Sequence, residues 1–288
     1  RDRLRSRGLG DVYKRQFQDI AQADSSAILS IIIGGVIFNL SNICLSASTS
    51  IAGMSVAFPV GCGLALVLGV INNLRVEMSQ GALKSNLTLL AIGVALVVVA
   101  VILNGIASGK KAGNAEISKA DQRKGIILAV VAGVVMSFFS SFVMKAMDLK
   151  DFANMEPGKV GPYTAIVVFS LSVLVSHFVF GPIFMKWPFQ GAPVKMSEYF
   201  KGNSKTHLVG MLGGCIWCLG TALSYIAAGK AGASVSYALG QGAPMVAAIW
   251  GVFVWKEFKG SNKTVYNLLG MMFLFFIVGL GMIVAAGM

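Results

Sequence analysis

Residues 34–67, GGVIFNLSNICLSASTSIAGMSVAFPVGCGLALV, align without a gap on residues 213–246, GGCIWCLGTALSYIAAGKAGASVSYALGQGAPMV, at an offset of 179 positions. Eleven of the 34 positions are identical: Gly34/Gly213, Gly35/Gly214, Ile37/Ile216, Leu40/Leu219, Ala52/Ala231, Gly53/Gly232, Ser55/Ser234, Val56/Val235, Gly61/Gly240, Gly63/Gly242 and Val67/Val246. Phe38/Trp217 and Phe58/Tyr237 add aromatic matches, and the register carries on to Leu89/Leu268, Leu90/Leu269 and Ala107/Ala286. Shared apolar composition inflates such scores, but an ungapped match of glycines and of a turn position marks an internal repeat.

The first copy lies in a run, Ser25 to Leu74, that contains no Asp, Glu, Lys or Arg. As helix, fifty such residues extend about 75 Å, against a hydrocarbon core of about 30 Å, so the run crosses a membrane twice. The whole chain agrees. Of its 288 residues 56% are hydrophobic and 12% charged, where a soluble domain carries about 25% charged residues. Apolar runs of about 20 residues fall at 26–47, 51–73, 88–107, 125–144, 162–185, 208–229, 231–255 and 265–288, which gives an all-α polytopic bundle with eight spans.

The offset pairs the first, second and third spans with the sixth, seventh and eighth. The repeat unit is therefore five helices, and an odd number inverts the second copy across the membrane, the inverted-repeat plan of secondary transporters. Residues 17–110 then form the remainder of a first five-helix repeat, 111–124 a central loop and 125–288 the second repeat. Two spans that should precede residue 26 are expected to be missing. Residues 1–16, RDRLRSRGLGDVYKRQ, share no periodicity with the rest and read as a translated adapter.

The net charge of +12 falls to 18 minus 10 without those sixteen residues, and the remaining cations sit between apolar spans, so nucleic acid is not the expected partner. Loops 108–124, 186–207 and 256–264 hold twelve Lys and Arg, and the opposite set (Arg75, Lys84, Lys145, Lys150, Lys159, Lys230) holds six. The positive-inside bias places the first set in the cytosol.

Polar side chains within the spans recur at helical spacing. Asn39, Asn42 and Ser46 share one face of the first span, and their images Cys218, Thr221 and Tyr225 share the matching face of the sixth. Tyr237 and Gln241 extend the pattern on the seventh. Amides, hydroxyls and aromatic rings suit a small neutral polar solute; the same groups also serve as bonds between membrane helices. Gly240-Gln241-Gly242-Ala243-Pro244 and its image Gly61-Cys62-Gly63, with Pro59 before it, are expected to weaken both copies at matching depth, as at a transporter site, or to be close-packing contacts.

His177 is the one ionisable side chain well inside a span away from a turn, so it is a proton-coupling candidate or a neutral histidine bonded to Ser172 or Ser176. No carboxylate is expected at mid-span. Lys256 and Glu257, at the end of the seventh span, are expected to mark the interface or to pair with a loop. Cys215-x-x-Cys218 lies inside an apolar helix, away from the exposed helix N-terminus that lowers a thiol pKa, so neither redox chemistry nor a metal is expected. Gly105-Ile-Ala-Ser-Gly109-Lys110 is one residue short of a phosphate loop and has Lys111 where the Ser or Thr belongs, so no nucleotide cofactor is expected.

FNLSNICLSASTSIAGMSVAFPVGCGLALVLGV (38–70) and YALGQGAPMVAAIWGVFVWKEFKG (237–260) resemble the ureide permease family and its bacterial relatives in the drug/metabolite transporter superfamily, near the glucose, ribose and rhamnose uptake branch. The resemblance implies ten helices in two five-helix repeats, and a permease for allantoin, nucleobases or monosaccharides. The phosphate-loop-like motif described for plant members is missing from this chain. The expected function is thus a proton-coupled or facilitative permease in the plasma membrane for a small neutral polar metabolite, working by alternating access. Export of metabolites or drugs is the alternative, and an intramembrane enzyme or a receptor is the alternative of another class.

Overall fold

The computed structural model describes residues 19–112, 118–152, 155–256 and 258–288. The adapter-like residues 1–16 and Glu257 lie outside them. The helices are α1 (Ser25–Ala52), α2 (Met54–Gln80), α3 (Leu87–Ala112), α4 (Lys119–Ala146), α5 (Pro162–Lys186), the short α6 (Met196–Phe200), α7 (Ser204–Ala231), α8 (Ala233–Gly240), α9 (Ala243–Ile249) and α10 (Lys263–Ala286). With α8, α9 and the π turn Trp250–Val254 counted as one, eight spans are long and apolar enough to cross a membrane.

Helix ends follow local chemistry. The Ser118 side chain accepts from the Asp121 amide, Asn262 caps Val265, and Pro162 opens α5 where a missing N–H has no helical partner to lose. Gly81 closes α2 in the left-handed conformation (φ 63°), so this helix outruns its charge-free part and carries Arg75 and Glu77 within it.

Two faces of the bundle can be traced. On one, the Asp24 amide donates to Gly158 O (3.0 Å), Lys84 Nζ to Leu149 O (3.2 Å) and to Gly229 O, and the Asn86 amide to Ala286 O (2.8 Å). On the other, Ser48 Oγ donates to Gly125 O (2.7 Å), Ser50 Oγ to Gln190 (3.1 Å) and Lys124 Nζ to Phe189 O, while Lys111 lies over the Phe258 ring. Helix α1 starts on the first face and α7 ends there, so these repeat images run in opposite directions. The second face carries the cation-rich loops.

The repeat holds at atomic detail. Gly53 (φ 78°, ψ 161°) and Gly232 (φ 90°, ψ 155°) adopt nearly one conformation. The Gly53 amide donates to Thr49 O and the Gly232 amide to Ala228 O, both at 3.0 Å, and Ala57 and Ser236 donate back to the two glycine carbonyls, both at 3.1 Å. Thr49/Ala228 and Ala57/Ser236 are also 179 positions apart. Images α3 and α10 lie antiparallel against each other, as a two-fold axis in the membrane plane requires.

In lipid no hydrophobic force drives one helix onto another, so close approach depends on small residues and interhelical hydrogen bonds. A Cβ on Gly93 would stand 2.8 Å from Gly279 O, and one on Gly279 2.9 Å from Gly93 O, so α3 and α10 touch backbone to backbone. Gly34 packs on Phe139 O of α4, and Gly35 on Ser172 of α5. Their images Gly213 and Gly214 on α7 meet nothing within 4 Å, and only 6% of that helix's most apolar 18-residue window is buried.

The expectation of two symmetric weak points needs correction. Helix α2 runs unbroken past Pro59 and Gly61, whereas its image breaks at Gln241–Gly242 and then widens into a π turn, with Trp255 N bonded to Trp250 O (3.0 Å). Pro244 starts α9, and its image Ala65 keeps the N–H that Pro244 lacks.

Candidate solute site between the halves

A residue that lies against its own repeat image stands near the two-fold axis. Phe38 of α1 and Trp217 of α7 do so: their rings stack at 4.8 Å between centroids with 25° between planes. Around them Phe139 (4.9 Å from Phe38) and Phe169 (5.6 Å) extend an aromatic cluster that reaches Tyr237 through Phe139 and Tyr225 through Phe169. Trp217 remains 40% exposed.

One turn beyond the stack on each helix sits a polar image pair. Asn42 Nδ2 donates to Phe38 O (2.9 Å) and Thr221 Oγ1 to Trp217 O (3.0 Å). These are local i to i−4 bonds, which leave the Asn42 carbonyl oxygen and the Thr221 acceptor lone pairs for other work. Asn39, Asn42, Ser46, Thr221, Tyr225, Tyr237 and Gln241 divide as follows. Asn42 and Thr221 flank the stack, and Tyr225 and Tyr237 sit at its two ends. Tyr225 is buried with no partner for its hydroxyl among the described residues; Tyr237 is buried and donates to Ala65 O (2.9 Å). Gln241 is half-buried at the α8–α9 break, and Ser46 is exposed on the surface of α1.

Asn39 points elsewhere, donating to Ser176 Oγ of α5 (2.9 Å). Asn39→Ala is therefore expected to lower bundle stability by about 1 kcal/mol, a typical interhelical bond in a membrane. Denaturant titration in detergent measures this; a loss of solute affinity at unchanged stability would instead return Asn39 to the site.

His177 is exposed on the outer surface of α5, and the hydroxyls expected to hold it are engaged: Ser172 donates to Ile32 O (2.7 Å) and Ser176 to Val173 O (3.0 Å). A cavity of about 500 Å³ opens between α1 and α5, with an apolar lining that includes Ile32, Val36, Leu171 and Val175. Cys215 is exposed and Cys218 lies 3.7 Å from Ser170 Oγ, both as free thiols. Among the described residues no three His, Cys, Asp or Glu side chains group as metal ligands.

Sequence reasoning ended the second span at residue 73 and did not single out the polar stripe that α2 carries from Asn72 to Gln80. Asn72 bonds Ser137 O (3.2 Å), Asn73 accepts from Ser140 (3.3 Å), and Gln80 donates to Met147 O (3.1 Å) while accepting from the Leu149 amide (3.2 Å). Glu77 is fully buried near the end of α2, beyond the residue at which sequence reasoning ended that span. Gly81, a C-terminal stop, was the signal that α2 extends past the first charge.

The family model for ureide permeases matches residues 114–286. Ureide permease 1 of Arabidopsis thaliana is 27% identical over 163 residues, which is 56% of this chain and 42% of the relative. Ureide permease 2 of the same plant is 24% identical over 163 residues, 56% of this chain and 41% of the relative. The chain thus spans less than half the length of these relatives. No solved structure matches it.

Proposed function

Since the chain belongs to the ureide permease family, whose model covers residues 114–286, we propose that this multi-pass membrane transporter is a plasma-membrane permease for a small, neutral, planar metabolite with amide edges, such as a ureide or nucleobase. The observation that carries this reading is the Phe38–Trp217 stack on the axis between the halves, flanked by Asn42 and Thr221. A planar ring can take the place of one aromatic partner in such a stack, and the flanking amide and hydroxyl can read its polar edge. The position suits alternating access, in which two repeats rock about a site held between them.

The same symmetry suggests what covers α7. Helices α4 and α5 seat on Gly34 and Gly35 of α1, so an equivalent helix pair in the longer protein seats on Gly213 and Gly214. The complete bundle then has ten helices in two inverted repeats of five.

The test is uptake of labelled allantoin, uracil and glucose by vesicles that hold the full-length protein. Trp217→Ala and Gln241→Ala are each expected to raise the half-saturating concentration about tenfold or more, corresponding to about 1 to 3 kcal/mol of lost stacking or buried hydrogen bonding. Failure to take up any of the three solutes removes the permease reading for this class. Uptake with unchanged affinity in both variants moves the site away from the axis.

A further inference from the structure

Glu77 stands three positions from the end of α2 in the first half, with 0% of its surface exposed. Its Oε1 accepts from the Ser234 amide (2.6 Å) and from Ser234 Oγ (2.8 Å). Ser234 lies in the first turn of α8, in the second half. Gly232 leaves the space: a Cβ there would stand 2.9 Å from Oε1. Oε2 has no hydrogen-bond partner among the described residues. One carboxyl group thus joins the two halves through a helix N-terminus, with one oxygen saturated and the other bare.

We propose that Glu77 is a proton-operated latch between the two halves. This rests on the permease reading above and names the proton as the second ligand of that cycle. In the ionised state the carboxylate completes the N-terminus of α8, where both the unpaired amides and the helix dipole favour negative charge. A hydronium ion gives its proton to Oε2 and leaves as water, one O–H bond breaking as another forms. The neutral carboxyl holds the α8 amides less strongly, so α8, with Tyr237 and Gln241 on it or at its end, is freed to move relative to α2. Return of the proton to water closes the latch.

The other charges around Glu77 leave it this role. From the α2–α3 turn Lys84 acts on it electrostatically, but its ammonium is bonded to Leu149 O and Gly229 O. From α4 and the loop after it come Lys145 and Lys150, both exposed, Asp151, and Asp148, whose oxygens accept the Lys150 and Glu156 amides. Lys159 donates to Lys145 O, Lys150 pairs with Glu156, and Arg75 and Lys230 are exposed. From α8 the titratable group is Tyr237, which is bonded to Ala65 O. Of the neighbouring helices, α1 brings the buried Cys44 thiol, and the buried residues described on α3 include no titratable side chain.

Two readouts test the latch in the full-length protein. The first is amide hydrogen exchange of residues 232–236, corrected for intrinsic chemistry, as a function of pH. Protection is expected to fall about tenfold or more as the pH is lowered through the Glu77 titration, a change typical of charge-assisted bonds, and to be independent of pH in Glu77→Gln. The second is accumulation of labelled allantoin or uracil driven by an imposed pH gradient, expected in the wild type and lost in Glu77→Gln. Should Glu77→Gln fail to fold, Ser234→Ala keeps the carboxyl and removes one donor, and is expected to move the pH midpoint of protection. Protection that follows pH equally in Glu77→Gln, or a midpoint unmoved in Ser234→Ala, overturns the proposal. Because exchange is measured without solute, a protein that moves none of the solutes but shows the Glu77-dependent transition defeats the permease reading and leaves the latch standing.

Discussion

Gly93→Leu is expected to prevent normal assembly of the bundle, at a cost of about 3 kcal/mol or more, the upper range for overpacking a close contact. The side chain would be driven into Gly279 O at 2.8 Å and the Ile283 amide at 3.0 Å. Backbone atoms of a facing helix cannot step aside as a flexible side-chain end can, so α3 and α10 must separate along their length. Those helices are images of each other on the two-fold axis, and their separation opens the bundle where the halves meet. Gly270→Leu is the control: it lies on the same α10 and nothing stands within 4 Å of its Cβ position. Recovery as a monodisperse species in detergent, with the thermal midpoint of each variant, measures the difference. Equal behaviour of the two variants would show that the α3–α10 contact does not hold the halves together.

Gly232→Ala is expected to cost about 2 to 4 kcal/mol from two separable sources. At φ 90° and ψ 155° the backbone occupies a region essentially confined to glycine, which costs other residues about 1 to 3 kcal/mol. The added methyl also meets Glu77 Oε1 at 2.9 Å. Gly53→Ala carries the same torsional penalty, at φ 78° and ψ 161°, and is expected to cost about 1 to 3 kcal/mol. The cycle Gly232→Ala, Glu77→Ala and the double variant isolates the contact with the carboxyl, because residues in contact are not additive. Chemical denaturation of the four proteins in detergent supplies the numbers. A coupling energy of zero would mean that the Gly232 position does not hold Glu77 in place.

Much of the candidate site was legible as pattern and less of it as contact. The Phe38/Trp217 match was visible as one aromatic pair among the aligned positions, but stacking is a relation between helices with four spans between them in the chain. Asn39 and Asn42 looked equivalent on one face of α1, three residues apart. Their roles diverge because Asn39 faces α5, where Ser176 receives it, while Asn42 folds back onto its own helix. Helical spacing defines a face and leaves open what meets that face.

By itself the sequence determined that the chain crosses a membrane eight times as helix and that its last three spans repeat its first three. Both follow from local properties: uncharged runs of membrane length, and an offset that holds across a conserved glycine turn. The inversion followed from counting, since an offset of five spans, an odd number, reverses the direction of each image. Tertiary structure alone decided that Glu77 is buried against the far half and that only the second copy breaks at its glycines. Each of these depends on a partner remote in the chain. Glu77 could be buried because α8 offers it free amides 157 positions away, and no periodicity along α2 carries information about a donor it meets only in the folded bundle.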